Sequence, residues 1–253
     1  YYTFQAGGID FFALDSNTLN ALDPLPQTEW GIDIRLELEH RQAEIEQEQR
    51  ELLGQAALLN PQKPDQAEQL DDIHAKLEQL AESSQDIHKQ LTANSPTTVD
   101  LEQLAWLKQR LIASWQTESV RGRVLFFHHP PYVTEATKWN QAQTLAVRER
   151  LRQVLDAVAQ ELGSRLGDRS VVDLVLNGHA HCFEYLRTTE TGHGDANTNW
   201  VVCGGSGYSL RRQRKEGPDL LETRGSTQQL VARTGCFLGR SGQGSQKRRP
   251  YSF

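Results

Sequence analysis

The sequence predicts an α/β fold interrupted by a helical hairpin. Three observations carry this: short apolar runs of strand length, an apolar stripe at helical spacing between two of them, and a heptad pattern confined to residues 31–94. The chain opens inside a β-like run at Tyr1-Tyr2-Thr3-Phe4. Leu38, Ile45, Leu52 and Leu59 then recur every seven residues, and Leu70, Ile73, Leu77, Leu80, Ser84, Ile87 and Leu91 alternate three and four apart, a seam broken once by serine. Asn60-Pro61-Gln62-Lys63-Pro64 should end the first helix and start the second. The expected result is an antiparallel coiled-coil hairpin with arms of roughly 40 Å, at about 1.5 Å per residue. Residues 1–30 and 95–253 then form one α/β domain, and residues 31–94 are an insertion in it. As an arm the hairpin could bind a protein partner or self-associate; as an insertion it could simply pack on itself.

A helix over Leu101–Leu111 leads back into the α/β pattern. Val124-Leu125-Phe126-Phe127 and Val171–Leu176 read as strands buried on both faces. Between them Leu145, Val147, Leu151, Val154, Leu155, Val158 and Leu162 form the stripe of a crossover helix. Cys182–Leu186 and Asn199–Cys203 read as two further strands, joined by a loop whose His193 is expected to face solvent.

With 37% hydrophobic residues, the 253-residue chain can bury a substantial core, although the insertion is very polar. No apolar segment approaches the 18 or so residues of a membrane span. Cys182, Cys203 and Cys236 are an odd number without metal-ligand spacing, so buried thiols or one incidental disulfide are expected and the compartment stays open. The net charge of -6 hides an asymmetry. Arg211, Arg212, Arg214, Lys215, Arg224, Arg233, Arg240, Lys247, Arg248 and Arg249 outnumber Glu216, Asp219 and Glu222 after Ser209, opposite an acidic hairpin. Such a lobe could attract phosphorylated substrates or merely balance the arm. Phe237 is the one aromatic residue between Arg211 and Arg249, too few for a stacking platform, which argues against nucleic acid.

The chemistry is carried by histidines. His128 follows one strand, and His179 and His181 follow the other, so the imidazoles should gather beyond the strands' carboxyl ends, where open α/β sheets bind ligands. If the strand continues through Asn177-Gly178-His179-Ala180-His181, His179 and His181 project from one face about 6.6 Å apart. They could then hold one ion or two. Pro130 and Pro131 should stop the first strand and fix His128 or His129 at its mouth.

Three segments, His128-His129-Pro130, Gly178 to His181 and the Gly-rich turn Val202–Gly207, resemble signatures of the calcineurin-like metallophosphoesterases, which include purple acid phosphatases and phosphodiesterases. Tyr1 to Ser16 and Gln103–Leu107 also look like family elements. The resemblance implies an α/β sandwich and a dinuclear centre of Fe, Mn or Zn ions that hydrolyses phosphate mono- or diesters. It makes His128 and His179 ligands of one metal and His181 a ligand of the other. Asn177, His129 and Tyr132 are candidates to support the metals or touch substrate, with packing or turn roles as the alternative.

The family's D-x-H, G-D-x-x-D and G-N-H-[D/E] segments do not occur. Asp72-Ile73-His74 and Asp86-Ile87-His88 fail as substitutes, because residues two apart on a helix point roughly 200° apart. The chain contains no methionine, begins inside a β-like run and stops at Pro250-Tyr251-Ser252-Phe253, where a strand would begin. It is therefore expected to be the C-terminal part of a larger domain, inactive alone and without catalytic residues beyond the metal ligands. A non-catalytic adaptor working through the helical arm and a single-zinc hydrolase using His128, His179 and His181 are the other two readings.

Overall fold

The computed structural model describes residues 1–94, 99–139, 141–205, 216–224 and 227–235. Ser206, Gly207, Cys236, Pro250–Phe253 and the basic residues Arg211, Arg212, Arg214, Lys215, Arg240, Lys247, Arg248 and Arg249 lie outside them. The chain divides into two compact units, Tyr1–Ala21 with Thr98–Phe253, and Leu22–Thr97.

The first unit is mixed α/β around an eight-stranded sheet. Its strands are β1 (Tyr2–Ala6), β2 (Ile9–Ala13), β3 (Gly122–Phe127), β4 (Leu174–Asn177), β5 (Phe183–Thr188), β6 (Asn199–Cys203), β7 (Asp219–Arg224) and β8 (Thr227–Thr234), in the order β1-β2-β3-β4-β6-β5-β8-β7. Three adjacent pairs, β2–β3, β3–β4 and β4–β6, are parallel, and the other four are antiparallel. Gly7 and Gly8, at φ 58° and 75°, turn β1 into β2. Two consecutive positive φ values define the hairpin turn whose twist matches its strands, and glycine reaches them without strain.

Helices α3 (Leu101–Gln116) and α5 (Ala142–Leu162) belong to this unit, with a short α4 (Ala136–Trp139) between β3 and α5. Leu107 and Leu111 of α3 and Val147, Leu151, Leu155 and Val158 of α5 share one core with Phe12, Leu125, Val175, Leu186 and Trp200 of the sheet. The α5 stripe therefore faces the sheet and forms the expected strand-helix-strand crossover from β3 to β4.

The strands are not buried on both faces as expected. The alternate residues pair across the other face: Tyr2 with Ala13, Phe4 with Phe11, Phe126 with Leu176, Leu176 with Val201 and Val201 with Tyr185. On that face Tyr2 is 58% exposed, Phe4 46% and Leu176 37%. Phe4 stacks on Phe11 with ring centroids 4.7 Å apart, so the aromatic side chains cover one another in part. An apolar run cannot by itself distinguish one covered face from two, which is why the periodicity misled here.

The second unit holds α1 (Glu29–Ala56) and α2 (Pro64–Thr92), the two helices expected from the heptads. Thr28 caps α1 by accepting from the Gly31 N–H at 3.2 Å, and Pro64 opens α2. The pairs Arg35 with Leu91, Gln42 with Ser84 and Lys76 with Glu48 run in opposite chain directions, so the helices are antiparallel. Ile45, Ile73 and Leu80 are buried. Ser84, which broke the seam, is met by the Gln42 amide, which donates to its hydroxyl at 2.7 Å.

That pair generates a prediction with two opposite signs. Ser84→Ala strands a partly buried amide and should cost about 1–2 kcal/mol, whereas Gln42→Leu added to Ser84→Ala should recover most of it, because removing both partners leaves nothing unsatisfied. Urea unfolding followed by helical circular dichroism distinguishes the two.

Candidate metal site

Parallel pairing decides where the histidines meet. Ala13 is in register with Phe126, Phe127 with Asn177 and Asn177 with Val202, so β2, β3, β4 and β6 end side by side. The chain segments leaving them remain tied together. The Leu14 N–H donates to the Phe126 carbonyl at 3.1 Å, the Gly178 N–H to the His128 carbonyl at 3.0 Å and the Gly204 N–H to the Cys182 carbonyl at 3.1 Å. Contact requires glycine at one of these places and leaves little room at another. A Cβ on Gly204 would lie 2.2 Å from the Ala180 carbonyl oxygen, and one on Gly178 would press on the His128 ring at 3.3 Å.

Among the described residues, one group of possible metal donors is His128, His129 and His179, with one ring nitrogen each inside 4.8 Å of the others. His128 Nε2 and His179 Nδ1 are 3.2 Å apart. The His129 ring lies 4.9 Å from that of His128 and 4.6 Å from that of His179, centroid to centroid. His181 is outside this group of three, although its charge is felt by both His128 and His179. The strand does not run on through the motif. It stops at Asn177, His179 takes φ 62°, and the Ala180 and Cys182 N–H groups bond back to Gly178 and Ala180 at 2.7 and 2.8 Å. His179 and His181 are therefore presented by a tight turn, and the two-residue alternation of a strand does not set their directions.

Both rings are held neutral. Burial is the main cause, pushing His128 below its ordinary value and His179 down to about 2. The Lys138 ammonium on α4 is next in each case, and the neighbouring imidazoles add to it. A neutral ring nitrogen is the form that binds a metal. Lys138 is itself buried, at 1% exposed, and nothing in the sequence singled it out.

The remaining candidates have structural partners. Asn177 is buried and its amide donates to the Phe127 carbonyl at 3.0 Å, tying β4 to β3 at the row's edge; its Oδ1 accepts nothing from the described residues. Tyr132 is fully buried. Its hydroxyl donates to Asp195 and accepts from Arg152 Nη2 at 2.6 Å. Burial and the Asp195 carboxylate push its pKa well above the ordinary value. Arg152 Nε also donates to Asp195 at 2.9 Å, and Arg152 and Arg148 both pair with Glu222, at 3.0 and 3.1 Å. Two residues on, the Thr134 N–H and hydroxyl donate to buried Glu184 at 2.9 and 2.5 Å. The segment that follows the two prolines is thus fixed at Tyr132 and Thr134.

His193 is not a free loop residue as expected. Its Nδ1 lies 2.9 Å from Asp156 Oδ2, and the neighbouring Gly194 N–H donates to the other oxygen at 2.5 Å. It lines a cavity of about 930 Å³ with Arg148, Arg152 and Glu222, one that the three clustered histidines do not line. Cys182 is buried and Cys203 exposed, and the two are not bonded to each other. No helix among the described residues is long and apolar enough to cross a membrane.

Asp195→Ala should cost about 3 kcal/mol, measured as a shift in denaturant midpoint, because the buried Arg152 charge keeps only Glu222. A second expectation concerns pH. An unfolded histidine titrates near 6.5, so below that pH the unfolded chain takes up a proton that native His179 refuses. The contribution is fully present above pH 6.5 and is lost as pH falls, by up to about 1.4 kcal/mol per pH unit. Unfolding of the metal-free chain between pH 7.5 and 5.5 should show this slope, and His179→Asn should flatten it. No protein-family model matches the chain, and no curated protein matches it.

Proposed function

We propose that this chain carries the histidine side of a dinuclear metal centre of the calcineurin-like metallophosphoesterase type, directed at phosphate mono- or diesters. The observation that carries the reading is the separation of His128 Nε2 and His179 Nδ1, 3.2 Å between two neutral nitrogens. Two nitrogens about 2.0–2.1 Å from one ion at a near-tetrahedral angle stand roughly 3.3 Å apart, so the residues present fit a shared zinc, iron or manganese ion. His128 and His179 would hold one ion, and His181, in its neutral form, would serve the second.

When bound, the cations supply Lewis acidity and lower the pKa of a shared water so that hydroxide exists near neutral pH. The chain's own part is positioning. The aligned ends of β3 and β4 bring the rings together, Glu184 and Asp195 fix the loop, and burial, with the Lys138 charge second, keeps the imidazoles unprotonated. The sequence offers imidazoles but none of the family's carboxylate segments, so in this reading the chain alone does not turn over substrate. The exposed aromatic face of the sheet is where the second layer of such a sandwich would pack, and the helical pair is its inserted coiled-coil arm, open to a protein partner or a second copy.

Thermal unfolding with inorganic phosphate tests the site. In the presence of Mn²⁺ or Zn²⁺, saturating phosphate should raise the wild-type melting temperature by about 2–4 °C per kcal/mol of linkage, and should do nothing without metal or in His179→Ala. An equal rise in all three samples would remove the basis of the proposal. Hydrolysis of a chromogenic phosphate ester above the His179→Ala background would overturn the claim of inactivity.

A further inference from the structure

We infer that the turn following β2 withholds His129 from metal: Ser16 and Asn20 occupy both of its ring nitrogens, which makes it a positioning residue for His128 and His179 and leaves two imidazoles of the cluster to an ion. The metal half of this inference rests on the functional reading above; the lock itself does not.

By distance alone the three rings form a three-histidine set. Hydrogen bonding divides them. His129 Nδ1 lies 2.8 Å from Ser16 Oγ, and its Nε2 lies 3.0 Å from Asn20 Nδ2. The Asn20 amide donates, so Nε2 carries the lone pair and Nδ1 the proton, which goes to Ser16 Oγ. The same oxygen accepts the backbone N–H of His129 at 3.1 Å. A metal ligand must present an unprotonated nitrogen to the ion, and the one that His129 has is already taken.

The lock is held from outside. Ser16 is buried, and its carbonyl accepts from the Leu19 and Asn20 N–H groups at 3.1 and 3.0 Å, which fixes Asn20 relative to Ser16. Gln103 on α3, fully buried, accepts the Asp15 N–H at 2.7 Å and donates to the Asp15 carbonyl and the Thr18 hydroxyl, each at 3.1 Å. Arg150 on α5 donates to the Leu19 and Ala21 carbonyls at 2.5 and 2.8 Å. Turning His129 toward an ion therefore means breaking two ring hydrogen bonds against a turn pinned to two helices.

What the ring does instead is pack. It meets His128 at an interplanar angle of 86° and His179 at 53°. Such tilted and edge contacts between rings fix orientation. Withholding a third imidazole also keeps coordination positions open for carboxylate, water or substrate, which a catalytic centre requires and a closed structural site lacks.

Two measurements on the full 253-residue chain test this. In the metal-free protein, ¹⁵N-histidine NMR should show His129 as a single neutral Nδ1–H tautomer in the wild type, lost in Ser16→Ala; a tautomer mixture in the wild type would overturn the lock. In a Co²⁺ titration, His129→Gln should keep the wild-type absorption band position, with affinity reduced by about tenfold at most, while His179→Ala should lose the band. Asn20→Leu, which frees Nε2, should shift the band by adding a nitrogen donor. A His129→Gln spectrum altered as in His179→Ala, or no change in Asn20→Leu, would make His129 an ordinary ligand or an idle neighbour. If the wild type takes up no Co²⁺, the functional reading falls, and the tautomer measurement decides the lock alone.

Discussion

The parallel register of β2, β3, β4 and β6 is the constraint on which the candidate site depends. Parallel neighbours point their carboxyl ends the same way, so the segments that leave them must emerge in one row. The backbone bonds that continue past the strands, from Leu14 to Phe126 and from Gly178 to His128, carry the alignment into the loops. Residues 113 apart in sequence, Ser16 and His129, thereby come within hydrogen-bonding distance. A one-residue slip of β2 against β3 would turn its side chains to the opposite face and separate that pair.

Charge is buried behind this row in a way that fixes loops more than it adds stability. Glu184 and Asp195 are almost inaccessible, and each accepts from the segment that follows His129. A buried ion pair adds little net free energy over a well-packed apolar substitute, because desolvation offsets most of the attraction. What such pairs do supply is direction. Tyr132 and Thr134 each have one hydrogen-bonding arrangement that leaves no buried carboxylate oxygen orphaned, and together they hold the segment that follows His128 and His129.

Much of the fold was legible. The helices of the second unit, the crossover helix and strand β6 follow from periodicity and apolar run length, because those patterns report burial directly. Strands β7 and β8 escaped notice, since Leu220-Leu221 and Leu230-Val231 are short apolar pairs set among charges. The meeting of His128 with His179 was legible from strand ends. The place of His129 and the outlying position of His181 were not, for physical reasons. His129 is governed by partners in a distant turn, and no local spacing encodes them. His181 was expected to follow strand alternation, but the strand ends at Asn177 and His179 takes a positive φ.

Part of the row's wall is built from peptide groups in place of side chains. Gly204 abuts the Ala180 carbonyl, and Gly178 abuts the His128 ring. A crowded side chain can switch rotamer to admit a new neighbour, whereas the Ala180 carbonyl, held in its turn by the Cys182 N–H at 2.8 Å, has nowhere to go. Sequence drift around this centre is accordingly uneven: the surrounding apolar positions tolerate exchanges of similar volume, while position 204 is confined to a single letter of the alphabet.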